Sequence, residues 1–199
     1  MNYKNCVFLL IMILVSVKIN AQNDTEIVVE SQSKKATYIK GNALSILAAM
    51  PQIGLETGLG KHATFQIDAI ASFWESLDGS PLKFLIVTPE YRYYIKESFK
   101  GFYVGAHLSG TTFKLSKFFR GTNGYEQGFG YTAGMTIGVQ KRLSDRLNID
   151  VFLGGGTHQA FYKGYNKASG NRVDGAVKYN KSGEWLPYRG GVMLAYKLN

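Results

Sequence analysis

From Gln52 to Trp74 the side chains alternate in polarity twice over. Ile53, Leu55, Thr57 and Leu59 interleave with Gln52, Gly54, Glu56 and Gly58; after the turn Gly60-Lys61-His62, Phe65, Ile67, Ala69, Ala71 and Phe73 interleave with Thr64, Gln66, Asp68 and Ser72. A period of two marks a β-strand, because successive side chains point to opposite faces. The second run, about ten residues long, suffices to cross a bilayer when tilted.

The same signal recurs to the C-terminus. It predicts eight strands, over Thr37–Leu47, Gln52–Leu59, Ala63–Trp74, Lys83–Ile95, Gly101–Phe113, Gly128–Gln140, Leu147–Phe161 and Tyr188–Leu198. The expected fold class is all-β: an eight-stranded antiparallel up-and-down transmembrane β-barrel. Connection lengths agree. Gly60–His62, Lys96–Lys100 and Leu143–Arg146 are short, whereas Glu75–Leu82, Lys114–Gln127 and Lys163–Pro187 are longer, and only Ala48–Pro51 departs from the pattern. Outer-membrane barrels pair short periplasmic turns with longer external loops.

The N-terminus has the build of a secretory signal. Lys4 precedes an apolar run of eleven residues, Val7 to Val17, and Ala21 offers a small residue for cleavage. The run is too short for a transmembrane helix. The expected organisation is a cleaved signal peptide over 1–21, a polar periplasmic leader over 22–36 and a barrel over 37–199, in the outer membrane of a Gram-negative bacterium. The single cysteine, Cys6, lies before the apolar run, so it is not placed as a lipoprotein anchor, and the exported chain is left without disulfides or thiolate metal sites.

Alternation alone does not say which face meets water. A soluble lipocalin-like carrier would point its apolar face inward and cover its outside with Lys and Glu. Here the polar face is mostly Gly, Thr, Ser, Gln and Asn, and 101–113 and 128–140 carry no Asp, Glu, Lys or Arg. That composition suits the filled lumen of a narrow barrel, with the apolar rows facing lipid. The charges within strands, Glu56, Asp68, Glu90, Arg92, Asp150 and Arg189, are then expected to form a lumenal network. Its functional reading is a proton path or gated pore. Its structural reading is lumen filling, since eight strands leave room only for side chains.

Several stretches resemble a known family: Ile39-Lys40-Gly41-Asn42-Ala43-Leu44, Pro51 to Lys61, Pro89-Glu90-Tyr91-Arg92-Tyr93-Tyr94, Gly105-Ala106-His107 and Leu143 to Asp150. They are similar to an uncharacterised domain family of Bacteroidota, the domain-of-unknown-function 3575 type, whose members are predicted eight-stranded outer-membrane barrels. The Pro-Glu-x-Arg-Tyr segment carries the resemblance most firmly. It implies no activity, and it implies an association with a larger surface or fimbrial assembly. Separately, His107 and Ser109 share a strand face and resemble the catalytic pair of outer-membrane lipid A deacylases. Gly110 stands where that family usually has Asn.

The two longest predicted loops are basic. Lys114, Lys117 and Arg120 lie in one, and Lys163, Lys167, Lys178 and Lys181 in the other; Phe113, Phe118, Phe119 and Tyr125 lie in or beside the first. External loops of this sign suit contact with lipopolysaccharide phosphates. His62, His107 and His158 are scattered, so no metal or other cofactor is expected, and nucleic acid is not a partner. The sequence therefore points first to a non-catalytic barrel with a structural or accessory role at the cell surface. A lipid-modifying enzyme using His107 and Ser109, and a soluble periplasmic carrier, stand as alternatives.

Overall fold

Eight strands follow one another round a ring. The computed structural model describes residues 36–76, 79–116, 123–173 and 180–199, the last segment by backbone alone over 180–182. The strands are β1 (Thr37–Asn42), β2 (Gln52–Gly58), β3 (Ala63–Glu75), β4 (Pro81–Tyr94), β5 (Gly101–Leu115), β6 (Gly124–Arg142), β7 (Leu147–Asn166) and β8 (Asn180–Lys197). Each pairs antiparallel with its sequence neighbour, and β1 pairs with β8 to give a closed barrel. Following the pairing once round the ring returns about ten residues further along β1, the stagger of a narrow barrel with strands tilted by ~40°. The three short turns and the C-terminus lie at one end, and the other four connections lie at the opposite end.

The burial pattern is inverted relative to a water-soluble domain. Phe65, Ile67, Phe129, Met135, Val151 and Leu194 all face outward, and Met135 is 65% exposed. Inside, the buried side chains are mainly polar or charged, among them Lys40, Gln66, Glu90, Arg92, Thr136, Gln140 and Asp150. Soluble proteins bury Ile, Val, Leu and Phe and keep Lys, Arg, Glu and Asp wet. Glycines make the crowded interior possible: a Cβ at Gly138 would lie 2.5 Å from the Tyr103 ring, and one at Gly105 would collide with the Glu90 carboxylate.

Several predicted boundaries move. Strand one, expected to reach Leu47, ends at Asn42, and Ala43–Leu47 form a short helix, α1. Asn42 caps it, its side chain accepting from the Leu44 amide at 3.1 Å, while Ser45 Oγ donates to the Asn42 carbonyl at 3.0 Å. At the opposite extreme, β5 to β8 outrun their predicted ends, so the loops expected over Lys114–Gln127 and Lys163–Pro187 are shorter. Lys114, Lys163 and Lys181 sit on strands and Lys167 in the turn after β7. Cross-strand aromatic pairs hold the extension: Tyr125 stacks on Tyr165 at 5.2 Å, Phe129 on Phe161 at 5.4 Å, and Lys114 lies over the Tyr125 ring at 4.4 Å. Lys117, Arg120, Lys178, Phe118 and Phe119 fall outside the described residues, as do the expected signal peptide and leader up to residue 35.

The strands are unequal, and this shapes both ends. β1 and β2 have 6 and 7 residues, while β3 to β8 have 13 to 20. The β1–β8 pairing runs only from Tyr38↔Lys197 to Asn42↔Met193, and the β2–β3 pairing stops at Gln52↔Ile70. Above those points β8 and β3 border a gap, with α1 packed beside β8. Trp74 Nε1 donates to the Ala49 carbonyl and ties the α1–β2 turn to the end of β3. At the opposite end Phe99, in the β4–β5 turn, folds in beneath the lumen with φ +67° and packs against Tyr38 at 4.6 Å and Tyr94 at 6.3 Å.

Candidate functional site

Alternation sends every second residue of each strand to the axis. Glu56 of β2, Asp68 of β3, Glu90 and Arg92 of β4, Asp150 of β7 and Arg189 of β8, the six charges expected in the lumen, are all buried there. They form one connected network. Arg92 Nη1 lies 2.8 Å from Asp150 and 3.5 Å from Glu56, and its Nη2 lies 2.9 Å from Glu90. Glu90 Oε2 also receives Arg189 Nη2 at 3.0 Å, and the same Nη2 reaches Asp68 at 2.9 Å. Glu90 thus joins the two guanidinium groups.

A seventh charge completes the set. Lys40 of β1 is buried, with Nζ 2.8 Å from Glu56 and 2.5 Å from Asp150. It is absent from the residues expected from the sequence, although it alternates with Ile39 and Gly41 in phase with Tyr38 and Asn42. Neutral groups fill in around the ions. Tyr94 Oη lies 2.8 Å from Glu56 and 2.6 Å from Gln140, Tyr103 Oη donates to Asp150 at 2.9 Å, and Thr64 donates to Glu56 at 2.6 Å. Gln52 and Gln66 both donate to Asp68, at 2.6 and 2.9 Å. The Arg92 guanidinium also sits 4.5 Å above the Tyr103 ring, a cation–π contact. Among the described residues four carboxylates face three cations.

Buried charges survive only when paired and hydrogen-bonded. A double-mutant cycle on Lys40→Met and Asp150→Asn, followed by urea unfolding, should show coupling of about 0.5–3 kcal/mol, as expected for residues in one network. Additive losses would mean that the pair contributes no mutual stabilisation.

Interleaved with the ions, Tyr94, Tyr103, Phe152 and Met193 pack as a buried cluster, and Tyr38, Phe99 and Ala195 close the end below. Above them lies a polar tier. Ser109 Oγ sits 2.9 Å from Thr88 Oγ1 and 3.1 Å from Tyr188 Oη. His107 Nδ1 sits 3.0 Å from Thr136 Oγ1, its ring meets Tyr188 edge-on at 5.6 Å, and its Nε2 has no partner. The resemblance to a deacylase needs the imidazole on the serine hydroxyl. Both side chains are instead committed to other partners inside the barrel, and that activating contact is not formed.

Tyr188 joins this tier through a register shift. Gly154 pairs with Arg189, but Gly156 pairs with Leu186, so β8 carries one extra residue at Pro187-Tyr188. Such a bulge re-aims side chains, and both Tyr188 and Arg189 turn inward. Pro187, which has no N–H to lend a ladder, fits that irregular position.

Among the described residues the predicted basic contacts do not gather into one site. Lys83, Lys114, Gln127 and Lys163 follow in register across β4 to β7 as an outward row, and Lys167 Nζ donates to Ser80 Oγ. Among the described residues no His, Cys, Asp or Glu cluster could hold a metal ion. No curated protein and no solved structure matches the chain. The family model described as Protein of unknown function (DUF3575) matches residues 7–198, and the chain belongs to that family.

Proposed function

We propose that this chain is a small outer-membrane β-barrel with a structural or accessory role at the cell surface. The observation that carries the reading is the inversion of burial: a charged, hydrogen-bonded interior inside an apolar wall. The wall also has the layout that a bilayer asks for. Tyr91, Tyr93, Phe102 and Tyr196 ring one level, and Phe73, Phe129 and Trp185 ring another, all exposed. The apolar run Phe129 to Val139 rises by about 25 Å along a strand tilted ~40°, close to the height of an outer-membrane apolar band. Aromatic girdles at both edges of such a band are characteristic of these barrels.

The lumen is packed shut by its own side chains, which favours a structural role over transport. In this reading the end opposite the three short turns is extracellular, the basic row Lys83, Lys114 and Lys163 lies against lipopolysaccharide phosphates, and the projecting β5–β8 rim meets a larger surface assembly. Two measurements test it. The folded chain should migrate differently in gels before and after boiling. An epitope tag in the β7–β8 connection should be reached by antibody on intact cells, and one in the Lys96–Lys100 turn should not. Unshifted migration would overturn the barrel in membrane; reversed labelling would overturn its orientation.

A further inference from the structure

Above the ion network the barrel wall is interrupted. β8 has no strand beside it on the β1 side above Asn42↔Met193, and β3 has none on the β2 side above Gln52↔Ile70. Phe73 on β3 and Trp185 on β8 flank the top of the gap. α1 borders it below, with Leu44, Ile46 and Leu47 exposed. Behind the gap lies a cavity of about 240 Å³. Its base is polar, formed by Gln52, Asp68 and Arg189; one inward position higher on β3 and β4, Ile70 and Ile86 make it apolar.

This arrangement selects a ligand chemistry. Arg189 makes both its ion pairs through Nη2, and its buried Nε has no protein partner. Its charge is already balanced by Asp68 and Glu90, so the base holds no surplus cation for a phosphate. It offers donors and acceptors side by side, which is what hydroxyl groups use. Above Met193 the edge of β8 has no strand partner, only α1 beside it and the Asn42 side-chain amide donating to the Gly190 carbonyl, and it adds backbone groups at a depth where hydrocarbon could not satisfy them. We propose that the gap is a lateral portal. It admits the polar end of a single-chain amphiphile with an uncharged, hydroxylated headgroup, while the acyl chain stays outside against α1. The proposal rests on the outer-membrane reading, since the chain must be drawn from the surrounding lipid.

The test uses the full chain folded into phosphatidylcholine vesicles, in a Trp185→Phe background that leaves Trp74 beside the portal as the one tryptophan, excited selectively at the red edge of its absorption. A monoacylglycerol with a brominated chain is added, and in parallel an acylglycerol phosphate with the same chain. The monoacylglycerol should quench Trp74 saturably. Narrowing the cavity with Ile70→Phe and Ile86→Phe together should weaken that binding about tenfold, the equivalent of losing one good contact, in a protein whose heat-shifted migration shows it folded. Quenching that rises linearly and equally in both proteins is bulk partitioning and overturns the portal. Equal or tighter binding of the acylglycerol phosphate overturns the assigned headgroup. A chain that never inserts overturns the membrane reading, and the portal with it.

Discussion

Alanine in place of Arg92 is expected to destabilise the folded barrel by about 3–5 kcal/mol, the cost of removing one partner from a buried ion pair. Arg92 is fully buried and touches Glu56, Glu90 and Asp150. Its loss leaves these carboxylates with only Lys40 and Arg189 to balance them, in an interior that water does not reach. Arg142→Ala is the control, because its pair with Asp145 is largely exposed at 60% and 99% and should leave the urea midpoint where it is. Equal midpoints for the two variants would show that the lumenal charges are screened and that the network is not what holds the barrel.

The second large effect discriminates membrane from water directly. Met135 points outward from β6, is 65% exposed, and lies near the middle of the apolar belt. Met135→Arg should destabilise the barrel in vesicles by about 2–4 kcal/mol if that belt meets hydrocarbon. On a water-facing wall the same exchange should stay within about 0.5 kcal/mol. A neutral result with intact heat-shifted migration would therefore point to a soluble barrel with an unusual surface.

Much of the wall was legible because a period of two needs no tertiary knowledge. Phe129 to Val139 had to lie on one face and Gly130 to Gln140 on the other, whatever the neighbours. What alternation does not encode is which charge meets which. Arg92 reaches Asp150 only because the stagger of the ring brings β4 and β7 to one height, and stagger is a property of the closed sheet. The rim was illegible for another reason: around 124–127 and 162–166 both faces carry mixed residues, so the periodic contrast vanishes although pairing continues. α1 escaped notice because Ala43, Leu44, Ile46 and Leu47 prolong an apolar run that a strand could also have used. Tyr188 escaped because strict alternation allows only one of Tyr188 and Arg189 to face inward, and the extra residue in β8 overrides that rule. Lys40 was in phase with its strand and readable by the criterion that selected Glu56.

The sequence separation within the ion network has a kinetic consequence. Lys40 meets Glu56 across the first hairpin, 16 residues on, but its second carboxylate lies 110 residues away, and the two partners of Arg189 lie 99 and 121 residues away. No hairpin of consecutive strands can neutralise Arg189, so a sheet that holds β8 without β3 and β4 carries unmatched charge on its concave side. In the outer-membrane reading such intermediates are poorly soluble in hydrocarbon, and long-range pairing of this kind is slow to nucleate. Insertion and ring closure should therefore occur as one concerted event, with the last step the docking of β1 against β8.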